Sequence, residues 1–179
     1  ELIKKGLKTK EIDLNGAGKK IPFMVLSEYF RWGKGLHWKR EQRLIKGLKN
    51  TFLLILGAAG KKLKQDLIKE QEIILNLSSI LAEAYVAESV YLKVRKLASS
   101  NQDIADLSIQ EKIAQLYLYK SLNKVQNEAK EAIDSFASGF EKRILNYFVG
   151  KLLPPYLQNP KALSREITDH ALMQKKYPF

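Results

Sequence analysis

Residues 70–99, EQEIILNLSSILAEAYVAESVYLKVRKLAS, decide the fold that the sequence predicts. Apolar residues recur there in alternating steps of four and three, which keeps them on one side of an α-helix. This first row consists of Ile73, Leu77, Ile80, Ala84, Ala87, Tyr91, Val94 and Ala98. Acidic residues lie at the start of the stretch and basic residues at its end, the order that a helix dipole favours. The stretch is therefore predicted to be a long helix whose first row faces a core.

A second apolar row runs beside the first and consists of Ile74, Leu81, Tyr85 and Leu92. A helix that is apolar on two adjacent sides is typically covered by more than one element. We therefore expect the helix to touch several neighbours rather than to lie half in water.

Two more long helices are predicted on either side of this one. The first runs from about Lys39 to Gln65, and its apolar face holds Leu44, Leu48, Phe52, Ile55, Ala59 and Leu63. The other is expected to begin at Ser108, because Glu111 three residues later completes a capping box, and to end at Gly139. Its apolar residues are Ile109, Ile113, Leu116, Leu118, Leu122, Val125, Ala129, Ala132 and Phe136.

Two shorter helices are predicted at the C-terminal end. One covers residues 140–153 and ends before Pro154, which cannot continue a helix. The other begins with Asn159 as its N-cap and Pro160 in the first helical position. The predicted fold class is therefore all-α: an antiparallel up-and-down bundle of three long helices plus two shorter C-terminal helices.

Composition excludes several classes of protein. The chain has 179 residues, of which 45% are hydrophobic, which suits one domain with a sizeable core. It has no cysteine, and therefore no disulfide, thiol nucleophile or thiolate metal site. The longest apolar stretch, Thr51 to Gly60, is about half of the roughly 20 residues that span a bilayer. No signal-peptide pattern follows Glu1, and we expect a cytoplasmic fragment of a longer polypeptide.

The positive charge lies in the N-terminal part of the chain. Residues 1–70 hold 17 Lys and Arg against 7 Asp and Glu, whereas residues 71–179 hold 14 against 12. Such a basic region suits nucleic acid, anionic lipid or an acidic face on another domain of the same polypeptide.

Within the basic region, residues 22–40, PFMVLSEYFRWGKGLHWKR, interleave aromatic rings with cations. Packing against a neighbouring domain is the preferred interpretation, contact with an anionic membrane surface is the second, and nucleic acid is the least favoured. The candidate interface or membrane residues are Phe30, Arg31, Trp32, Lys34, Trp38, Lys39, Arg40 and Arg43.

Patterns that carry catalysis are missing from the sequence. His37 and His170 are far apart and have no second ligand at helical spacing, and no G-x-S-x-G motif occurs. Glu83, Glu88, Glu128 and Glu131 lie on two helices that contain no histidine, so a carboxylate di-metal site is disfavoured. These glutamates are predicted to be ion-pair partners, and the predicted sets of catalytic, cofactor-binding and metal-binding residues are empty.

Four runs resemble the C-terminal extension of very-long-chain-type acyl-CoA dehydrogenases from bacteria. They are LLILGAAGKKL at residues 53–63, EQEIILNLSSILAEAYVAESVYLKVRKL at 70–97, EAIDSFASG at 131–139 and KKYPF at 175–179. None of them is a chemical motif, and the resemblance lies in their order and spacing over nearly the whole chain.

The resemblance implies a parent enzyme that oxidises fatty acyl thioesters with FAD, while this segment itself carries no catalytic glutamate and no cofactor. It implies that residues 1–38 hold the tail of a catalytic-domain helix, a linker and the aromatic and basic segment. Residues 39–179 would then form the helical bundle domain, packed on the catalytic domain of a homodimeric parent. The alternative function is a basic helical adaptor that binds anionic lipid or nucleic acid through residues 20–46, and peripheral membrane contact is the alternative to a purely cytoplasmic location.

Overall fold

Five α-helices make up the described part of the protein, which comprises residues 39–99 and 104–174 of a computed structural model. They are α1 (Lys39–Leu63), α2 (Gln71–Ala98), α3 (Ile104–Phe136), α4 (Gly139–Leu152) and α5 (Pro160–Gln174), and a 3₁₀ segment (Lys64–Lys69) joins α1 to α2. No strand occurs within these ranges. The predicted class, an all-α bundle with three long and two shorter helices, is confirmed.

The three long helices pack against one another and form the core. α2 packs on α3 and on α1, α1 also packs on α3, and α4 lies against both α1 and α3, while α5 lies on α3. The antiparallel order of α1 and α2 is visible in their contacts, because Gln42 bonds to Tyr91 while Lys49 pairs with Glu88. Fully buried residues of the three helices include Leu48, Ile55, Ile80, Val125, Ala132 and Ile133.

The first apolar row of α2 is buried as predicted. Every member from Ile73 to Val94 lies in the core, and only Ala98, in the last turn, is exposed. The helix touches more than one neighbour, α1 and α3, as predicted, but it does lie partly in water, because Ile74, Leu81, Tyr85 and Leu92 of the second row are exposed to solvent. Periodicity identifies an apolar side of a helix but cannot identify what covers it, and no element within residues 39–99 and 104–174 covers this one.

The predicted start of α3 is wrong. The helix begins at Ile104, so residues 104–107 are helical rather than a connection and Ser108 lies inside the helix, where it cannot act as an N-cap. The earlier start brings Asp106 into the first turn, where a carboxylate interacts favourably with the helix dipole. Its Oδ1 also lies 3.5 Å from His170 Nε2 of α5, at the place where the two helices pack together.

The predicted start of α5 is confirmed. Asn159 Oδ1 accepts hydrogen bonds from the backbone N–H groups of Lys161 at 3.2 Å and Ala162 at 3.1 Å, and Pro160 is the first helical residue. The end of α3 falls at Phe136 instead of Gly139. Gly139 opens α4 with a φ of +57°, a conformation that glycine adopts more easily than other residues.

The predicted division between residues 1–38 and 39–179 stays a prediction, because residues 1–38 lie outside the described ranges. The first described helix begins at Lys39.

Gly47 allows α1 to approach the end of α4 closely. A Cβ atom built on Gly47 would lie 2.1 Å from the backbone oxygen of Leu152. Backbone atoms cannot move away as a flexible side chain can, so any larger residue at this position must push the two helices apart. This contact holds α4 against α1.

We expect Gly47→Ala to lower the free energy of unfolding by about 2 kcal/mol or more, because overpacking a close contact costs about that much. Chemical denaturation of the chain measures the loss. Gly150→Ala is the matched control, because outside its chain neighbours and its own helix backbone no atom lies within 4 Å of the added Cβ, and helical alanine is favoured over glycine. Equal stability of the two variants would contradict the close contact.

Candidate interaction surface

Glu83, near the middle of α2, is held by three side chains of α3. Its carboxylate accepts hydrogen bonds from Tyr117 Oη at 3.0 Å, Ser121 Oγ at 2.7 Å and Lys124 Nζ at 2.9 Å. The spacing of residues 117, 121 and 124 places all three donors on one side of α3. The pair between Glu83 and Lys124 is also a salt bridge, in which the Glu83 side chain is only 16% exposed.

These contacts determine the ionisation of the group. Burial by itself disfavours the charged carboxylate, but the hydrogen bonds from Ser121, Lys124 and Tyr117 outweigh it and lower the pKa of Glu83 below its ordinary value of 4.5. The hydrogen bond to Glu83 likewise raises the pKa of Lys124. Glu83 is therefore a charged structural link between α2 and α3.

The other predicted glutamates also make contacts between helices or remain at the surface. Glu88 Oε1 lies 2.5 Å from Lys49 Nζ of α1, and Glu128 Oε1 accepts a hydrogen bond from Ser79 Oγ at 3.1 Å. Glu131 is exposed. The ion-pair role predicted for Glu83 and Glu88 is confirmed. Within residues 39–99 and 104–174, no group of three or more His, Asp and Glu residues comes together in a way that could hold a metal ion.

The inward position of Glu83 and Glu88 leaves the opposite side of α2 without charge. They are the only charged residues between Ile73 and Leu92. We name the exposed side the outer face of α2, defined by Ile74, Leu75, Leu81, Tyr85, Val86 and Leu92. From residue 74 to residue 92 it extends about 27 Å at 1.5 Å per residue.

The outer face of α2 continues into a groove beside α1. The groove has a volume of about 290 Å³ and is lined by Phe52, Leu56, Leu67, Ile68, Ile74, Leu77, Ser78 and Leu81. Ile68, in the 3₁₀ segment, is 78% exposed at its edge. An apolar surface of this extent is typical of a contact with another protein part or a membrane.

A second exposed apolar row lies on α4. It consists of Phe140, Ile144 and Tyr147, and the Nζ atom of Lys151 lies 5.5 Å from the centre of the Tyr147 ring. This row is shorter than the outer face of α2 and carries cations, because Arg143 is exposed beside it.

The candidate residues predicted from the sequence are only partly placed. Phe30, Arg31, Trp32, Lys34 and Trp38 lie outside the described ranges, and so do the tail residues 175–179.

The remaining candidates, Lys39, Arg40 and Arg43, lie in the first turns of α1. Arg43 lines a hollow of about 20 Å³ between α1 and the end of α4, together with Lys46 and Lys151. That volume suits about one water molecule, so the structure does not make the hollow a ligand site.

Arg40 takes part in a contact that the sequence did not reveal. Its guanidinium lies 4.9 Å from the centre of the Tyr156 ring and donates a hydrogen bond of 3.4 Å to the carbonyl of Pro155. Tyr156 Oη in turn donates to Glu41 Oε1 at 2.8 Å in a buried position. Burial, followed by the bond to Glu41, raises the pKa of Tyr156. Residues 115 positions apart have no spacing signal that could have predicted this pair.

By length and composition, α2 is the single helix of the described residues that could cross a membrane. Only 28% of its most apolar 18-residue window is buried. Core helices satisfy the same criterion, and the bonds of Glu83 to α3 and of Glu88 to α1 are those of a helix packed in a bundle.

The described fold and surface define a helical domain that has a packed core, charged links between its helices and one long exposed apolar side. Comparison with known proteins agrees with this class. The family model "Acyl-CoA dehydrogenase, C-terminal domain" matches residues 47–151, which is more than half of the chain. The chain therefore belongs to the acyl-CoA dehydrogenase C-terminal domain family.

Two longer proteins are similar to the chain. A probable acyl-CoA dehydrogenase of Bacillus subtilis (strain 168) is 24% identical over 140 residues, covering 78% of this chain and 23% of that protein. The crystal structure of an acyl-CoA dehydrogenase complexed with FAD from Bacillus anthracis superposes with a TM-score of 0.83 at 20% identity, covering 98% of this chain and 30% of that one. The chain thus spans about a quarter of the curated relative.

We expect Glu83→Gln to lower the free energy of unfolding at neutral pH by about 1–2 kcal/mol, because hydrogen bonds to a charged group are replaced by neutral ones. Since the pKa of Glu83 is lowered in the folded protein, its stabilisation is present above pH 4.5 and is lost as the pH falls through the folded-state pKa.

Chemical denaturation at a series of pH values measures both effects. The loss of stability between neutral and acidic pH should be smaller in Glu83→Gln than in the unmodified chain. Glu131→Gln is the control, because this glutamate is exposed. Identical pH dependence of Glu83→Gln and the unmodified chain would contradict the role of the carboxylate.

Proposed function

We propose that the chain is a non-catalytic C-terminal domain of an FAD-dependent acyl-CoA dehydrogenase of fatty acid β-oxidation, and that it packs on the catalytic part of the same polypeptide. The family match over residues 47–151 carries this proposal. The contacts of Glu83 and Glu88 support a non-catalytic role, because these carboxylates join α2 to α3 and to α1. Function would then lie in assembly rather than in catalysis.

The groove beside α1 does not have the chemistry that FAD needs. It is lined by apolar side chains and Ser78, whose hydroxyl donates to the carbonyl of Ile74 at 2.8 Å. The FAD pyrophosphate needs hydrogen-bond donors or cations, which such a groove does not provide. The cofactor and the catalytic base would therefore be supplied by the rest of the polypeptide.

Three finer features complete the proposal. The four runs quoted above support a parent of the very-long-chain type. A helical domain that covers a face of the catalytic part would limit the parent to a homodimer, and we place this homodimer in the cytoplasm. The aromatic and basic residues 22–40 would pack between this domain and the catalytic part. That contact would explain their rings and cations without a lipid or nucleic acid ligand.

The alternative is a basic adaptor that binds anionic lipid or nucleic acid through residues 20–46. Among its described residues, Arg40 already contacts Tyr156 and Pro155. A cation held in this way is less available to phosphate groups, which favours the packing role.

The whole polypeptide, purified from an expressing cell, should be a yellow homodimer that carries FAD and is bleached by a fatty acyl-CoA. Absorbance spectra with light scattering measure cofactor content and mass. Removal of residues 39–179 should make the remaining protein aggregate or assemble into larger oligomers, because a covered face becomes exposed. A colourless whole polypeptide without acyl-CoA oxidation would overturn the proposed function.

Sedimentation of the whole polypeptide with vesicles of anionic phospholipid separates the two roles. Under the packing role, the protein should stay in the supernatant at low and at high salt. The combined variant Trp32→Ala and Trp38→Ala should then lower the midpoint of thermal unfolding. Vesicle binding that falls steeply with salt and is lost in this variant would favour the adaptor instead.

A further inference from the structure

The outer face of α2 presents an apolar surface on which both serine hydroxyls are already hydrogen-bonded. Tyr85 and Leu75 are each 70% exposed there. The two serines of this face are bonded within their own helix: Ser78 Oγ donates to Ile74 O at 2.8 Å and Ser89 Oγ donates to Tyr85 O at 2.9 Å. A partner that covers the face would therefore bury few polar groups that lack a hydrogen bond.

The electrostatics of α2 exclude a strongly charged partner. Glu83 is bound to three α3 residues and Glu88 to Lys49 of α1. Both carboxylates thus face neighbouring helices, and the outer face has no charge between residues 74 and 92. Apolar burial, which contributes about 25 cal/mol per Å², is the interaction that such a surface can offer.

The course of the chain indicates where the partner comes from. The chain enters α1 at Lys39, beside the C-terminal half of α2, as the contact between Gln42 and Tyr91 shows. The chain covers only 23% and 30% of the two longer proteins it resembles, and its family is named for a C-terminal position. A catalytic part tethered ahead of α1 would have a high effective concentration around the whole domain, and the outer face of α2 is its longest exposed apolar surface within the described residues.

We infer that the outer face of α2 is the surface on which the catalytic part of the same polypeptide packs, with Tyr85 near its centre. The inference rests on the proposed function and goes beyond it by assigning the contact to one side of one helix. The groove beside α1 extends the contact at the end near Ile68 and Ile74.

The exposed row of α4 is then left for solvent. α2 and α4 both pack on α1 and α3. α4 contacts α1 at two places: Leu152 lies against Gly47, and Glu141 pairs with Lys62. α4 therefore runs along the same length of α1 as α2 does. Because α2 and α4 both pack on α1 and α3 over this length, they must lie on different sides of the α1–α3 pair. One flat contact with the catalytic part therefore cannot cover both faces.

Cysteine labelling of the whole flavin-containing polypeptide tests the inference. Because this chain has no cysteine, Ser78→Cys or Ser89→Cys introduces one thiol at a time on the outer face. These changes are nearly isosteric. Ser135→Cys in α3 is the matched control, because Ser135 is also an exposed helical serine bonded to the carbonyl four residues earlier, at 2.9 Å.

We expect a maleimide to modify the thiols of Ser78→Cys and Ser89→Cys at least tenfold more slowly than the thiol of Ser135→Cys in the native polypeptide, and all three at equal rates in urea. Peptide mass spectrometry locates the label. Equal native rates in a yellow, active polypeptide would overturn the inference while leaving the proposed function intact. A colourless, inactive polypeptide would instead be a failure of the proposed function.

Two further results would also overturn the inference by identifying another occupant. Protection that disappears on dilution would assign the face to a second copy of the chain. Protection that appears only when phospholipid vesicles are added would assign it to a membrane. Protection that persists on dilution and without lipid is the result we expect.

Discussion

The bond network around Glu83 is the constraint on which the rest of the structure depends. An acidic residue in the middle of an apolar helix must be either solvated or bonded, because a buried charge without partners is strongly unfavourable. Tyr117, Ser121 and Lys124 provide those partners on α3. The network therefore fixes which side of α2 faces α3, and with it which side faces outward.

The same constraint explains why the domain has an exposed apolar side. With Glu83 bound to α3 and Glu88 bound to Lys49, both charges in the middle of α2 lie toward the bundle. Apolar residues make up most of the exposed side of α2, and its inner side is already packed in a core with α1, α3 and α4. The inner side of α2 thus packs in its own bundle, while its outer face is available for a contact outside the bundle. Membership of the acyl-CoA dehydrogenase C-terminal domain family is consistent with such a role beside a catalytic part.

Local signals in the sequence predicted most of the fold and less of the surface. The period of the first α2 row and the cap at Asn159 depend on residues close in sequence, and both are confirmed. The start of α3 was misplaced because a capping box inside a helix has the same residue pattern as one at its end.

Contacts between distant residues could not be predicted from spacing. The approach of Gly47 to Leu152 and the bond between Tyr156 and Glu41 join separate helices, and neither leaves a periodic pattern. The exposure of Tyr85 could not be predicted either, because the sequence shows an apolar side but not what covers it. Of the eight candidate residues, the structure describes Lys39, Arg40 and Arg43, and the role predicted for the set stays a prediction.

Thermal unfolding of the whole polypeptide with a lysine placed on the outer face of α2 tests the central claim most directly. We expect Tyr85→Lys to lower the midpoint by several degrees, because the cation would be buried in the contact without a partner. Phe140→Lys, at an exposed aromatic residue of α4, should change it by less than about one degree, as surface substitutions usually do. Equal midpoints for the two variants would contradict the claim that the outer face is covered in the complete protein.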